Sequence, residues 1–296
     1  MCKRFVVWGC GFIGRHLVEL LQKDNEVFIV NKVGRTELSN LENVTELREE
    51  QINEVEQADV MYFLAWNGTS GDKRGDIDVQ LANVRLVCRA VQYAADLQCR
   101  RFVYAGSIME YEAIKYINMD ESSPGLNYIY SVSKLTADYF AKIIANKLGI
   151  EYCNALISNV YGPGEKSQRF IVSMCKKLLN NETLALTEGN QLYDFIFISD
   201  AVQALKIIGL YGQRNHTYYI GNVLQFPLKD FIIRMKEIVG SNSDILFGAI
   251  DYLGASLNYD EFNVVALGDL GFECEVSFEE GIRRTVEWLK NENKGT

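Results

Sequence analysis

Tyr130 and Lys134 stand four residues apart in the run Tyr130-Ser-Val-Ser-Lys134. In a helix, a step of four places both side chains on one face. The pairing has chemical meaning. A tyrosine hydroxyl with its ordinary pKa near ~10 is a poor base at neutral pH, and a neighbouring ammonium favours the phenolate. Lowering that pKa by ~3 units corresponds to about 4 kcal/mol. Such a phenol can pass a proton to or from a sugar hydroxyl while a hydride moves at the same carbon. A serine hydroxyl polarising the same oxygen would complete the set. Ser107 follows residues 101–105, which read as a strand, and ligands gather at the carboxyl ends of strands in parallel sheets. A second Y-x-x-x-K match, Tyr111 with Lys115, is unsurprising among 16 tyrosines. Tyr111 reads as a loop residue without a helix of its own, whereas Tyr130 opens a long amphipathic stretch. Tyr130 is therefore the expected acid/base. The plainer reading is a surface tyrosine on a helix that forms a dimer.

The hydride carrier is suggested by the turn Gly9-Cys10-Gly11-Phe12-Ile13-Gly14. It follows an apolar run and opens a helix-period segment, the context a dinucleotide site requires. Gly9 permits a tight turn, Gly11 lets a pyrophosphate approach the backbone, and Gly14 lets helix and strand pack closely. The helix start, with Phe12 and Ile13, offers free N–H groups and partial positive charge. The ribose selector belongs at the end of the second strand, about 20 residues on. Asn31 stands there instead of a carboxylate, with Lys32 and Arg35 close behind. An amide with two cations suits a 2′-phosphate, so NADP is expected over NAD. The plainer reading leaves Lys32 and Arg35 as solvated loop charges.

These groups need a scaffold. Apolar runs at 3–8, 26–30, 60–66, 101–105 and 152–157 alternate with helix-period segments at 14–23, 77–96 and 130–148. In 77–96 the steps Leu81, Val84, Cys88, Val91 and Ala95 mark the apolar face. Residues 195–198, 201–210 and 218–220 read as one further strand-helix-strand set. The order predicts an α/β chain, a Rossmann-type doubly wound parallel sheet with a smaller C-terminal α/β substrate lobe. The dinucleotide domain is expected over 1–164 plus about 191–224, and the substrate lobe over about 165–190 plus 225–296.

Composition narrows the partners. A net charge of −9 argues against nucleic acid and anionic membranes. The longest apolar run, 60–66, is far too short to span a bilayer. Seven scattered cysteines without a C-x-x-C pair fit free thiols in a reducing cytoplasm. Two histidines and no H-E-x-x-H give no expectation of a metal site.

Together the motifs resemble the extended short-chain dehydrogenase/reductase family, in its NAD-dependent epimerase/dehydratase group acting on nucleotide sugars. The resemblance spans nearly the whole chain: the glycine turn, Asp59-Val60 with Leu64-Ala65, Asn83-Val84, Ser107 with Tyr111, Tyr130 with Lys134, Asn159-Val-Tyr-Gly-Pro-Gly164, Tyr193-Asp-Phe with Asp200-Ala-Val202, and Leu270-Gly-Phe272 with Phe278 to Ile282. It implies Ser107, Tyr130 and Lys134 as the catalytic set. It implies that Leu64, Ala65 and Asn83 line the dinucleotide, with Trp66 beside them in an unusual loop, and that Asn159 meets the substrate near its diphosphate. It also implies a homodimer through 77–96 and 130–148.

Departures are informative. The glycine turn is one residue shorter than the family's. Tyr193 and Leu156 replace arginines common at the nucleotide phosphates, which leaves Arg169 as a candidate anion contact, with an ordinary surface arginine as its plainer reading. The family's 4,6-dehydratases place Asp-Glu directly after the catalytic hydroxyl. Here Ile108 and Met109 stand there, neither able to carry a proton, and Glu110 is displaced by one. The 3,5-epimerising reductases use a Cys where Met109 stands. The expectation is therefore hydride transfer at one ring carbon of a nucleotide-diphosphate sugar, most readily reduction of a 4-keto sugar. The alternatives are 4-epimerisation with bound NAD, a reductase of non-sugar ketones, and a non-catalytic dinucleotide sensor or scaffold.

Overall fold

The computed structural model describes residues 2–31, 37–117, 124–167, 169–252, 257 and 259–292. Lys32 and Arg35 lie outside the described residues. Along the chain run β1 (Arg4–Trp8), α1 (Phe12–Leu21), β2 (Glu26–Val30), β3 (Val44–Leu47), β4 (Val60–Phe63), α2 (Ile77–Asp96), β5 (Arg101–Ser107), α3 (Met109–Ile117), α4 (Tyr128–Leu148) and β6 (Glu151–Ile157). They are followed by β7 (Asn159–Tyr161), α5 (Phe170–Leu179), β8 (Leu184–Ala185), β9 (Leu192–Tyr193), β10 (Phe195–Phe197), α6 (Ile198–Tyr211) and β11 (His216–Ile220). The chain ends with β12 (Phe226–Pro227), α7 (Leu228–Val239), β13 (Ile245–Leu246) and α8 (Phe278–Glu292).

The first of two compact units contains residues 1–157, 202–220 and 263–272. Its sheet has the order β3-β2-β1-β4-β5-β6-β11, and every pair is parallel. That is a doubly wound Rossmann arrangement, whose order reverses between β1 and β4. The near-continuous apolar strands follow from burial on both faces. Val6 and Val7, which point to opposite faces of β1, are both fully buried. On one face α4 packs against α2, β5 and β6. Ala137, Ala141 and Ala145 recur at four-residue steps along α4 and are fully buried, so short side chains bring that helix close.

Three local expectations change. β3 lies partly inside the acidic stretch 46–59, which gave no strand signal. α3 covers Tyr111, so that tyrosine is helical, not a loop residue. The helix was hidden because Glu110 and Glu112 interrupt the apolar pattern although both are buried. On α2 the buried face runs through Gln80, Asn83, Val84, Val87, Ala90, Val91 and Ala94, while Leu81 is exposed. Two buried amides displace the expected stripe.

The second unit contains residues 158–201, 221–262 and 273–296. β7 pairs with β10, so 158–164 and 191–201 group with this unit, while 263–272 returns to the first. The sequence-based boundaries differ there because three-residue strands carry little periodicity. An aromatic cluster organises this unit: Phe195 meets Tyr161, Phe231 and Phe278 at centroid distances of 6.3, 4.9 and 5.8 Å. No helix among the described residues is long and apolar enough to cross a membrane.

Gln80, a polar residue in the first turns of α2, is fully buried. Its Oε1 accepts from Trp66 Nε1 at 2.8 Å, and its Nε2 donates to the carbonyls of Gly68 and Lys73, each at 2.9 Å. Gln80→Leu removes the donor from two carbonyls and the acceptor from one indole. We expect a loss of about 3 kcal/mol in unfolding free energy, measured by urea titration.

Candidate active site

The glycine turn has the geometry its residue types predict. Gly9 adopts φ +104°, and a Cβ there would lie 2.5 Å from the Ala65 nitrogen. The turn after β1 and the loop after β4 therefore meet backbone to backbone. Gly14 is pressed as closely from the other side, since a Cβ would overlap the Gly9 carbonyl oxygen, with Leu64 Cδ1 at 3.6 Å. Gly11 differs: a Cβ there would meet nothing within 4 Å. It is the open position, directly before the first turn of α1, where backbone N–H groups face outward. A dinucleotide's pyrophosphate fits this cradle. The Gly9 N–H donates to Val30 O at 3.0 Å, which ties Asn31 beside the turn. Burial pushes the Cys10 thiol up to about 11, with Glu46 adding to the shift, so Cys10 is not a reactive thiolate here.

Beyond Ala65 the chain forms a pinned loop. Asn83 Oδ1 accepts from Asn67 N at 3.0 Å and Asn83 Nδ2 donates to Asn67 O at 2.8 Å. Both ends of the Asn83 amide therefore hold backbone. Trp66 is fixed by Gln80, turns its ring face to the Lys134 ammonium at 3.9 Å, and meets the Tyr130 ring edge-on at 6.0 Å.

Tyr130 and Lys134 lie on α4, 7% and 5% exposed. Lys134 Nζ donates to the Ala105 carbonyl at 2.8 Å, two residues before Ser107 on β5. Tyr104 Oη donates to Lys134 O at 3.3 Å. The helix carrying the tyrosine and the strand carrying the serine are thus fastened together. Ser107 Oγ accepts from Met109 N at 3.2 Å and is partly exposed at the strand's carboxyl end. Tyr111 and Lys115 share α3 instead. Tyr130 is the tyrosine that shares Trp66 with a buried ammonium.

Sequence reading missed Glu110. It is buried and turned inward: Oε1 accepts from Ser107 N at 2.9 Å and Oε2 from Asn154 Nδ2 at 3.0 Å. Gly106 is required for this, because a Cβ would overlap Asn154 Oδ1 and lie 2.8 Å from Glu110 Oε1. Asp138 of α4 accepts from Tyr152 Oη at 2.6 Å. Burial first, then the Asp138 charge, pushes the Glu110 carboxyl up to about 8; the Ser107 N–H opposes this. Arg74 and Gln80 were also missed. A polar residue interrupting the apolar face of 77–96 was the available signal for Gln80.

The remaining expected substrate residues lie in the second unit. Asn159 Nδ2 donates to Asp194 O at 3.0 Å. Arg169 forms an ion pair with buried Glu165 at 3.6 Å. Tyr193 stacks on Phe170 and Phe195 at 6.4 and 5.5 Å.

With the parallel sheet, the glycine cradle and the paired tyrosine and lysine in place, the class is that of an extended short-chain dehydrogenase/reductase. Residues 5–221 match the model of the NAD dependent epimerase/dehydratase family, and the chain belongs to that family. It is 28% identical to a CDP-abequose synthase of Salmonella typhimurium over 94% of this chain and 95% of that protein. Its fold is similar to that of a UDP-N-acetylglucosamine 4-epimerase from Methanobrevibacter ruminantium M1 solved with UDP-N-acetylmuramic acid (TM-score 0.83, 21% identity, covering 98% and 99% of the two chains). It is also similar to a UDP-glucuronic acid 4-epimerase from Bacillus cereus solved with NAD (TM-score 0.80, 19% identity, covering 99% and 98%).

Two glycines give opposite expectations for the same substitution. Gly11→Ala leaves Tm within a degree or two but weakens dinucleotide binding at least tenfold by calorimetry, because only the ligand contests that space. Gly14→Ala lowers Tm by several degrees before any ligand is added.

Glu110 predicts a pH dependence. Its value in the fold lies above the ordinary 4.5. The stability gained from holding its proton is full below pH 4.5 and is lost as pH rises through about 8. Relative to Glu110→Gln, which stays neutral, the wild type should lose on the order of 3 kcal/mol between pH 5 and pH 9 in parallel denaturant titrations.

Proposed function

We propose that this protein reduces a 4-keto group on a nucleotide-diphosphate sugar, with NADP as the carrier of the hydride. One observation carries this reading. Ser107 ends the catalytic strand and is followed by Ile108 and Met109, while the nearest carboxyl, Glu110, is turned into the core and bonded to Ser107 N and Asn154. Tyr130 is then the acid/base for one carbinol, and nothing beside Ser107 on that segment removes protons from the neighbouring carbons as dehydration requires.

In this reading Ser107 Oγ donates to the ketone oxygen and orients it. Tyr130 Oη gives its proton to that oxygen as the carbonyl becomes an alcohol. Lys134 favours the phenolate left behind and holds the tyrosine's surroundings through Ala105 O. A bound nicotinamide supplies the hydride when reduced and takes it when oxidised. The cradle at Gly11 with Phe12 and Ile13, the backbone around Leu64 and Ala65, and Asn31 would hold the dinucleotide. Lys32 and Arg35 support the 2′-phosphate by their charge. Asn159, Arg169 and Tyr193 are proposed for the nucleotide diphosphate, and Met109 for the sugar. The second unit serves as the substrate lobe.

A homodimer fits the same reading. Val132, Tyr139, Phe140 and Ile143 of α4 and Ile77 and Leu81 of α2 are exposed apolar side chains, which a second copy would cover. The seven free cysteines suit a reducing cytoplasm. Epimerisation at C4 is the second reading, favoured by the 4-epimerases among the structures of similar fold. It uses the same proton and hydride transfers in both directions with retained NAD.

Purified protein, NADPH or NADH, and a panel of nucleotide sugars and their 4-keto derivatives separate the readings. Consumption of one NADPH per product supports reduction. Product without net cofactor turnover supports epimerisation and overturns reduction. Preference for NADH removes the role given to Lys32 and Arg35. Tyr130→Phe should lower kcat at least a thousandfold with the dinucleotide still bound, and near-normal turnover would reject the acid/base assignment.

A further inference from the structure

Arg74 is a residue that the reaction as derived does not use. It ends a short turn in the loop between β4 and α2, and its guanidinium carbon lies 4.1 Å from the centre of the Tyr130 ring. The placement is fixed from several sides. Its Nη1 donates to Thr69 O at 2.9 Å, and its own N–H donates to Gly71 O at 3.0 Å. The preceding carbonyl, Lys73 O, is held by buried Gln80. Asp76 caps α2 two residues later by accepting from Val79 N at 3.0 Å. A long flexible side chain has thus been set on one face of one aromatic ring.

We infer that Arg74 is a positioning residue for the acid/base step: a second cation, stacked on the Tyr130 ring, that favours its phenolate beside Lys134. The inference rests on Tyr130 being the acid/base. A cation over a phenol ring is held by the ring's quadrupole. When the phenol loses its proton, the ring gains a full negative charge and the same contact becomes an ion pair. The interaction is therefore stronger with one protonation state than with the other, which is what shifts a titration. Arginine suits the task better than lysine, because its planar head stacks and stays charged at every working pH.

The division of labour between the two cations is visible. Lys134 is committed to Ala105 O and to the face of Trp66, while Arg74 takes the face of Tyr130. The charged and titratable groups of the neighbouring elements are Arg74 on the Tyr130 ring, Lys134 of α4 across Trp66, Tyr104 of β5, Asp138 of α4 and Glu110 of α3 beside Tyr104, and Glu112 of α3 beside Arg74. Glu112 is near enough for Arg74 to stabilise its charge, and it accepts from Ser131 Oγ at 2.7 Å. It tempers the cation without replacing it. The loop and the first turn of α2 also place Asp72, Asp76 and Asp78 along a cleft of about 1020 Å³ that includes Arg74. Three carboxylates against one guanidinium make that cleft a poor seat for an anion, which favours a role toward Tyr130 over a role in phosphate binding.

The test reads Tyr130 directly and needs no sugar substrate. Tyrosinate absorbance is titrated in the folded wild type and in Arg74→Gln, each against its own Tyr130→Phe counterpart as blank. The wild-type midpoint should fall below the ordinary tyrosine value of about 10. Arg74→Gln should raise the midpoint by about one pH unit, a tenfold loss of phenolate at a given pH. Arg74→Met keeps the contact area on the ring without the charge and should give the same rise, so either variant decides the matter if the other fails to fold. A midpoint unmoved in the folded variant, or a wild-type midpoint at 10 or above, overturns the inference. A purely structural Arg74 would lower Tm and leave the midpoint in place. Turnover by Tyr130→Phe rejects the acid/base reading separately, whatever the titration of Arg74→Gln shows.

Discussion

The carboxyl edge of the sheet depends on one close contact, in which the backbone of Gly9 meets the backbone of Ala65. No side chain fits between them. The contact fixes the turn that opens α1, and it fixes where the chain leaves β4. Leu64 is then placed against Gly14, and Trp66 follows directly after Ala65, partly buried against the core. From Trp66 a run of constraints continues through Gln80 to the Lys73 carbonyl and ends with Arg74 over Tyr130. The glycine turn therefore does more than admit a pyrophosphate. It sets the register of the loop that leads to Tyr130, so the cradle and the proposed acid/base share one backbone anchor.

The polar interior beneath Ser107 shows what this anchoring costs. Glu110 satisfies the Ser107 N–H from inside the core, where a carboxylate is poorly solvated. A backbone carbonyl would have served as acceptor without a titrating group. The carboxyl does more, because it also fastens Asn154 of β6 and feels the charge of Asp138 on α4. β5, α3 and β6 are thereby joined beneath Ser107 by one polar network. Gly106 is the opening that lets this network pass under the strand.

Much of the frame was legible in the sequence, for a physical reason. Strands buried on both faces are continuous apolar runs, and 26–30 and 77–96 appear in the structure with the expected bounds. Tyr130 and Lys134 were legible because helix geometry turns a four-residue step into proximity. The failures share a different cause. β3 carries Glu46, α3 carries Glu110 and Glu112, and α2 turns Gln80 and Asn83 inward. Each is a polar residue whose partner lies far along the chain. Periodicity treats such residues as solvent-facing, and only the tertiary hydrogen bonds reveal that they are not. Arg74 was illegible for a related reason: nothing local to 72–74 announces an aromatic ring 56 positions later.

The arrangement of Trp66 follows from placing two cations near one phenol. Lys134 and Arg74 repel each other, and both are drawn from bulk water by their surroundings. An aromatic face offers each a low-cost neighbour that does not titrate in the working range. Trp66 receives Lys134, Tyr130 receives Arg74, and the two rings meet edge to face at 81°. That geometry keeps the charges on separate rings that touch each other. A smaller residue in place of Trp66 would remove the ring face that Lys134 meets at 3.9 Å. On the inference drawn for Arg74, the indole is the element that lets two positive charges bear on one phenol, and buried Gln80 holds that indole in place.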